Sequence, residues 1–138
     1  MTLKIDKSKV VTFDKDGNVR ARYSCIPNVF WDMAEHSQNV CLNNVISAID
    51  QMYHIERKFD NGCNAHAARA VCSDADTYDE HKGVQIACTK SDWKFHNNMR
   101  RRYRKYYGYM CKMLDELARL ESFHDRKCKH IERYLEDM

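Results

Sequence analysis

Acidic side chains crowd around a single aromatic residue in the stretch 72–87, CSDADTYDEHKGVQIA. The aromatic residue is Tyr78, and the acids are Asp74, Asp76, Asp79 and Glu80. A pair of carboxylates such as Asp74 and Asp76 is able to hold a divalent metal for hydrolysis, yet short acidic loops more commonly form turns and helix caps. We therefore predict an acidic loop followed by a helix, whose positive N-terminal end is stabilised by Asp79 and Glu80.

Basic side chains are concentrated further along the chain. Residues 90–112 carry eight lysines and arginines against one acid, whereas the formal net charge of the whole chain is only +3. On a helix, Arg100 and Arg104 lie one turn apart on one face, with Arg101 beside them. Guanidinium groups in this arrangement suit bidentate contact with phosphate, and an interleaved aromatic such as Tyr103 suits stacking on a base.

Two interpretations of this basic cluster stay open from the residues alone. The positive face is either solvated and paired with the acids of the preceding loop, or it is a site for phosphate recognition. In the second case the ligand is a small nucleotide or a nucleic acid. The binding residues would then be Arg100, Arg101, Tyr103 and Arg104.

The motifs of well-known enzyme classes are absent from the sequence. The chain has no G-x-S-x-G turn, no H-E-x-x-H helix and no glycine-rich phosphate loop, and its four glycines are scattered. We therefore predict that the protein is not an enzyme and uses neither a catalytic residue nor a cofactor.

Seven cysteines raise the question of a disulfide framework or a zinc site. Their odd number, without a secretory signal, predicts reduced thiols. The ligand-like spacings are Cys63-x2-His66 and His124-x3-Cys128, and neither forms the paired C-x2-C pattern of a structural zinc site. We predict no bound metal, with zinc as the alternative.

The length of 138 residues predicts a single domain, 1–138, with a core of its own. No apolar run approaches the ~20 residues of a membrane span, and the first residues lack the apolar segment of a signal peptide. These features predict a protein that acts in the cytoplasm where it is made, without a membrane partner.

Hydrophobic periodicity predicts an α+β fold. A hairpin over 10–24, turning at Asp16-Gly17, and a strand near 65–73 form a small antiparallel sheet. A helix near 37–58 packs with this sheet, because its apolar residues recur at helical spacing.

Long helices are predicted for the C-terminal part of the chain, over 92–137. A short helix over 79–90 precedes them, Ser91 and Asp92 form a helix start, and Ser122 caps a second helix after a break near 121–125. A heptad-type apolar seam runs along these helices. Its members are Met99, Tyr103, Tyr106, Met110, Met113, Leu117 and Leu120. The seam either packs on the sheet as core or partly pairs with a second copy, and the second interpretation predicts a homodimer or higher homo-oligomer.

The stretch 72–87 resembles a pattern of small bacteriophage proteins. In that pattern a strand ends in cysteine, proline and an acid, and an aromatic-aspartate pair, three further residues, a glycine and an isoleucine- or leucine-alanine pair lead into a helix. The matching residues are Cys72, Asp76, Tyr78, Asp79, Gly83, Ile86 and Ala87. Asp74 stands where proline is usual. The layout of the chain is similar to the anti-Thoeris signal-sponge family, with the helix near 37–58 as a departure.

The resemblance implies a phage anti-defence protein in the host cytoplasm. Such a protein binds a cyclic ADP-ribose-type immune signal in pockets between protomers and sequesters it without cleaving it. Tyr78 would then stack on the base, and Arg100 and Arg104 would bind phosphate. Two alternatives stay open: a phage inhibitor that binds a host defence protein directly, as anti-CRISPR proteins do, and a nucleic-acid-binding protein that uses the basic helix 94–112.

Overall fold

A computed structural model of the chain describes residues 8–25, 27–56, 66–71 and 79–138. It confirms the predicted α+β class. The elements in chain order are β1 (Lys9–Phe13), β2 (Val19–Tyr23), α1 (Val29–His36), α2 (Leu42–Tyr53), β3 (Ala68–Ala70) and α3 (Glu80–Glu136). The chain divides into two compact units, Met1–Tyr103 (unit 1) and Arg104–Met138 (unit 2), and the single-domain organisation stays a prediction.

The N-terminal hairpin forms as predicted, with β1 antiparallel to β2 across a turn at residues 14–18. The Asp14 carboxylate accepts hydrogen bonds from the backbone N–H groups of Asp16 and Asn18, each at 2.9 Å. Gly17 has a φ of 79°, which a side chain would disfavour. The turn is therefore set by an acid at its start and a glycine near its end.

The third strand extends this hairpin into an antiparallel sheet of order β1-β2-β3. Ala68 lies opposite Ala21, and Ala70 lies opposite Val19. β3 lies within the predicted range 65–73. The inward side chains of β2 and β3 are mostly small, so a helix is able to approach the sheet closely.

The first turns of α3 pack on this small-residue face. Val84 and Ala87 form one buried cluster with Val19, Ala21 and Ala70. The start of the helix is capped as predicted, because the Asp79 carboxylate accepts a hydrogen bond from the N–H of Lys82 at 3.2 Å. Two residues of the motif over 72–87, Gly83 and Ala87, therefore have a role in joining the helix to the sheet.

Gly83 marks a close approach between α3 and β2. A Cβ atom there would lie 2.8 Å from Cγ2 of Val19. The side chain of Val19 is buried and β-branched, so it cannot easily change its rotamer to make room. We expect Gly83→Ala to lower the free energy of unfolding by about 1–2 kcal/mol, since overpacking outweighs the gain in helix propensity.

Gly108 provides the matched control for this substitution. Beyond the neighbouring turns of its own helix, no atom of the described residues lies within 4 Å of the position that a Cβ would take there, so Gly108→Ala should raise the free energy of unfolding by up to about 1 kcal/mol. Chemical denaturation followed by circular dichroism measures both variants. Equal effects at the two glycines would contradict the close approach.

Two helices, α1 and α2, connect β2 to β3 in the described residues. α2 lies inside the predicted helix near 37–58, whereas α1 has no counterpart in the prediction. α1 begins where the side chain of Asn28 accepts a hydrogen bond from the N–H of Trp31 at 2.8 Å. α2 ends where His54 adopts a left-handed conformation with a φ of 54°, and this residue terminates the helix.

α3 is one uninterrupted helix, so the predicted helix start at Ser91 and the predicted break near 121–125 are both wrong. Ser91 does not cap a helix; it is fully buried, and its hydroxyl donates to the carbonyl oxygen of His66 at 2.7 Å. Ser122 is an exposed residue within the helix. No proline follows Pro27, so nothing in the local sequence forces the helix to end at either serine.

Unit 2 consists of the C-terminal part of α3 and the last two residues. Every residue from Lys112 to Met138 is exposed, including the apolar residues of the predicted seam in this range. None of the helices in the described ranges has a stretch apolar and long enough to cross a membrane.

Candidate functional site

A pocket of about 470 Å³ opens in unit 1, within the size range of small-molecule sites. We call it the aromatic pocket. Its chemically distinctive lining residues are Lys9, Tyr23, Trp31, Asp92, Phe95 and His96. They come from β1, β2, α1 and the N-terminal part of α3, so four elements converge on the site.

An ion pair with a tyrosine forms the polar part of the aromatic pocket. The Lys9 ammonium lies 2.7 Å from Oδ1 of Asp92, and the Tyr23 hydroxyl donates to the same oxygen at 2.6 Å. The Lys9 side chain is only 5% exposed, whereas the Asp92 side chain is 43% exposed. The carboxylate is therefore held in place on one side and accessible to a ligand on the other.

Aromatic rings form the apolar part of the pocket. The rings of Tyr23 and Phe95 are 4.9 Å apart between centroids, and Phe95 also lies 4.8 Å from the ring of His96. Trp31 keeps 48% of its surface exposed, although it lines the pocket. A half-exposed indole beside a packed group of rings offers an open face on which a planar ligand can stack.

The chemistry of this lining suits a planar heteroaromatic ligand with hydrogen-bond donors. A carboxylate such as that of Asp92 is able to accept hydrogen bonds from an exocyclic amine or from ribose hydroxyls, and the rings provide stacking surface. The charges of Lys9 and Asp92 cancel, so the lining as a whole is not strongly cationic. A base and its sugar therefore match the pocket better than an isolated polyphosphate does.

A buried ion pair holds the region beside the aromatic pocket. The Arg102 guanidinium lies 3.2 Å from Oε2 of Glu56, with side chains 6% and 10% exposed. The same Nη1 donates to the carbonyl oxygen of Pro27 at 3.2 Å, and Glu56 accepts from the N–H of Val29 at 3.4 Å. Arg102 thus joins α3 to the start of α1, the helix that carries Trp31.

Tyr103 makes a second connection between α3 and α1. Its hydroxyl donates to Oδ2 of Asp32 at 2.6 Å. Burial, and then the hydrogen bond and charge of Asp32, raise the pKa of Tyr103 far above its usual value of 10.0. Tyr103 therefore holds α3 and α1 together.

The raised pKa of Tyr103 gives a prediction at alkaline pH. Because the folded state holds this proton more tightly than the unfolded state, the contribution to stability is complete below about pH 10 and is lost as pH rises above it. Tyr103→Phe should lower the free energy of unfolding by about 1 kcal/mol at neutral pH and reduce the loss of stability above about pH 10. Denaturation curves across this pH range measure both effects; an unchanged alkaline profile would contradict the role of the hydroxyl.

The predicted site residues do not line the aromatic pocket in the described part of the chain. Tyr78 lies outside the described residues. Arg100, Arg101 and Arg104 are exposed on α3, and Arg100 donates to the side chain of Asn97 at 2.6 Å. The basic cluster therefore contains exposed arginines on both sides of one buried structural arginine, Arg102.

Sequence reasoning missed the pocket residues because they are far apart along the chain. The alternation of β2 predicts that Tyr23 points inward. Asp92 and Phe95 share a helix face at a spacing of three residues. Trp31 gave no such signal, since its helix was not predicted. These side chains come together only in the folded chain, where β1, β2, α1 and α3 pack around the pocket.

The remaining candidates for chemistry are the cysteines and the two zinc-like spacings. Cys63 lies outside the described residues. The cysteines in the described ranges are thiols rather than disulfides, and no group of three or more His, Cys, Asp or Glu within those ranges is placed to hold a metal ion.

Comparisons of the chain with protein-family models, with curated proteins and with solved structures found no match. The aromatic pocket is therefore interpreted from its own residues and geometry.

Proposed function

We propose that the protein binds a cyclic ADP-ribose-type nucleotide through its base in the aromatic pocket and sequesters it without cleaving it. The observation that supports this proposal most is the combination of an accessible indole, Trp31, with a fixed and half-exposed carboxylate, Asp92. Stacking on an aromatic face is worth about 1–3 kcal/mol per base, and a carboxylate adds recognition of amine or hydroxyl donors.

The phosphate groups of such a ligand require cationic donors. The pocket lining offers few of them, because the Lys9 side chain is only 5% exposed and its ammonium is paired with Asp92. The role in blocking host immune signalling rests on the resemblance of residues 72–87 to phage proteins.

A ligand panel tests the proposal directly. It contains cyclic ADP-ribose isomers, cyclic dinucleotides, NAD, ATP and a short DNA duplex, measured by calorimetry at low and high salt. We expect saturable, salt-resistant binding of a cyclic nucleotide, because stacking in a pocket releases few counterions. Chromatography of the released ligand should recover it intact; a cleaved product would contradict sequestration, and no binding of any nucleotide would contradict the proposal.

A second candidate function is nucleic-acid binding along α3. The exposure of Arg100, Arg101, Arg104 and Lys105 favours it, since exposed basic side chains contact phosphates without sequence preference. In this case the duplex binds, its affinity falls steeply with salt, and substitution of Arg101 and Lys105 by alanine weakens it. Duplex binding without nucleotide binding would favour this function over sequestration.

A further inference from the structure

The carboxylate of Asp92 is held asymmetrically in the lining of the aromatic pocket. The Lys9 ammonium and the Tyr23 hydroxyl both contact its Oδ1, at 2.7 Å and 2.6 Å. A carboxylate oxygen has two lone pairs, so these two donors take up the accepting capacity of Oδ1. Oδ2 is therefore the oxygen with which Asp92 is able to accept a hydrogen bond from a ligand.

The exposure of the three side chains agrees with this division. The Lys9 side chain is 5% exposed and Tyr23 is 7% exposed, so both donors approach Asp92 from the interior. The Asp92 side chain is 43% exposed, and its accessible part lies on the side away from these donors. Lys9 and Tyr23 fix the carboxylate before a ligand arrives, which reduces the entropy that binding costs.

A single available oxygen limits the groups that the carboxylate recognises. Partners with two neighbouring donors, such as the N1–H and N2–H groups of guanine or two ribose hydroxyls, are served best by both oxygens of a carboxylate. A group with one donor atom, such as the exocyclic amine of adenine or cytosine, needs Oδ2 alone. The arrangement at Asp92 therefore favours an amino base.

The lack of a hydrogen on the carboxylate disfavours an oxo base. Hypoxanthine and guanine carry a carbonyl oxygen at C6 of the purine, where adenine carries an amine. A carbonyl oxygen placed against Oδ2 would leave two acceptors facing each other without a hydrogen between them, and a polar group without a partner in a pocket costs binding energy. The rings of Trp31 and Phe95 favour a purine over the smaller cytosine.

We infer that Asp92 determines which base the aromatic pocket takes: its Oδ2 accepts a hydrogen bond from the nitrogen at C6 of a 6-aminopurine, and 6-oxopurines are disfavoured. The assignment requires a base in the aromatic pocket and therefore rests on the proposed function. It separates two roles, because Trp31 provides a stacking face for any base, whereas Asp92 distinguishes one base from another.

A matched pair of ligands tests the inference on the unchanged chain. Cyclic ADP-ribose and cyclic inosine diphosphate ribose differ at C6 of the purine, where the first carries a nitrogen with hydrogen and the second an oxygen. Calorimetric titration should give a dissociation constant about 10- to 100-fold lower for cyclic ADP-ribose. Equal dissociation constants would overturn the inference and leave the proposed function standing, whereas no binding of either ligand would overturn both.

Asp92→Asn tests whether Asp92 is the residue that recognises the base. The asparagine amide both accepts and donates hydrogen bonds, so the preference for cyclic ADP-ribose should fall below about threefold. The ratio of the two dissociation constants, measured on one sample, does not depend on how much of the protein is folded. A loss of stability at the unpaired Lys9 therefore leaves this ratio unaffected.

Asp115→Asn is the matched control, because it makes the same chemical change at an exposed position of α3 that does not line the pocket. This variant should keep the full preference for cyclic ADP-ribose. An unchanged preference in Asp92→Asn, or an equal loss in both variants, would overturn the role of Asp92.

Discussion

Arg102→Met is expected to lower the free energy of unfolding by about 3–5 kcal/mol, the largest loss that we predict for a single substitution in this chain. The substitution removes the guanidinium that neutralises the buried carboxylate of Glu56, 3.2 Å away, and it also removes the donor to the carbonyl oxygen of Pro27. Methionine fills a similar volume. The loss of stability therefore comes from the missing charge and hydrogen bonds more than from a cavity.

Two controls separate this effect from the general charge of the helix. Arg101→Met removes a neighbouring but exposed guanidinium and should change the free energy of unfolding by less than about 0.5 kcal/mol. The double variant Arg102→Met/Glu56→Gln should recover part of the loss, because it leaves no buried carboxylate behind. Equal losses for Arg101→Met and Arg102→Met would contradict the buried ion pair.

Trp31→Ala is expected to weaken binding of the cyclic nucleotide by about 10- to 100-fold, since it removes the accessible stacking face of the aromatic pocket. The stability of the fold should change much less, because the indole is half-exposed and the cap at Asn28 accepts from the backbone rather than from the side chain. Calorimetric titration measures the affinity.

Trp93→Ala is the matched control, because it makes the same chemical change at the other tryptophan. Trp93 lies on α3, is 65% exposed and does not line the aromatic pocket. Its removal should leave the affinity within about twofold of the unchanged chain. Equal losses of affinity for the two variants would place the ligand outside the proposed pocket.

Local sequence patterns predicted the sheet and the helix near 37–58 well. The hairpin follows from alternation on both sides of a turn whose Asp14 and Gly17 act within five residues of each other, so no distant contact is needed. The prediction failed at Ser91 and Ser122, where a favourable cap residue lies inside a longer helix. At Ser91 the side chain is buried within the helix, and its hydroxyl donates a tertiary hydrogen bond to the carbonyl oxygen of His66.

The basic cluster shows why the site was harder to predict than the fold. Five basic residues lie within 100–105, and their sequence alone does not say which of them is buried. The buried one, Arg102, is three residues after Met99 and four before Tyr106, both of which are buried. This spacing places Arg102 on the apolar face of the helix and is the signal that identifies it.

Intrinsic fluorescence of Trp31 tests the central claim most directly. The chain has two tryptophans, so Trp93→Phe leaves Trp31 as the single reporter inside the aromatic pocket. Titration with cyclic ADP-ribose isomers should change the Trp31 emission to a plateau, with the same dissociation constant as calorimetry and little dependence on salt. Calorimetric binding without any change in Trp31 emission, or no binding at all, would contradict a nucleotide site in this pocket.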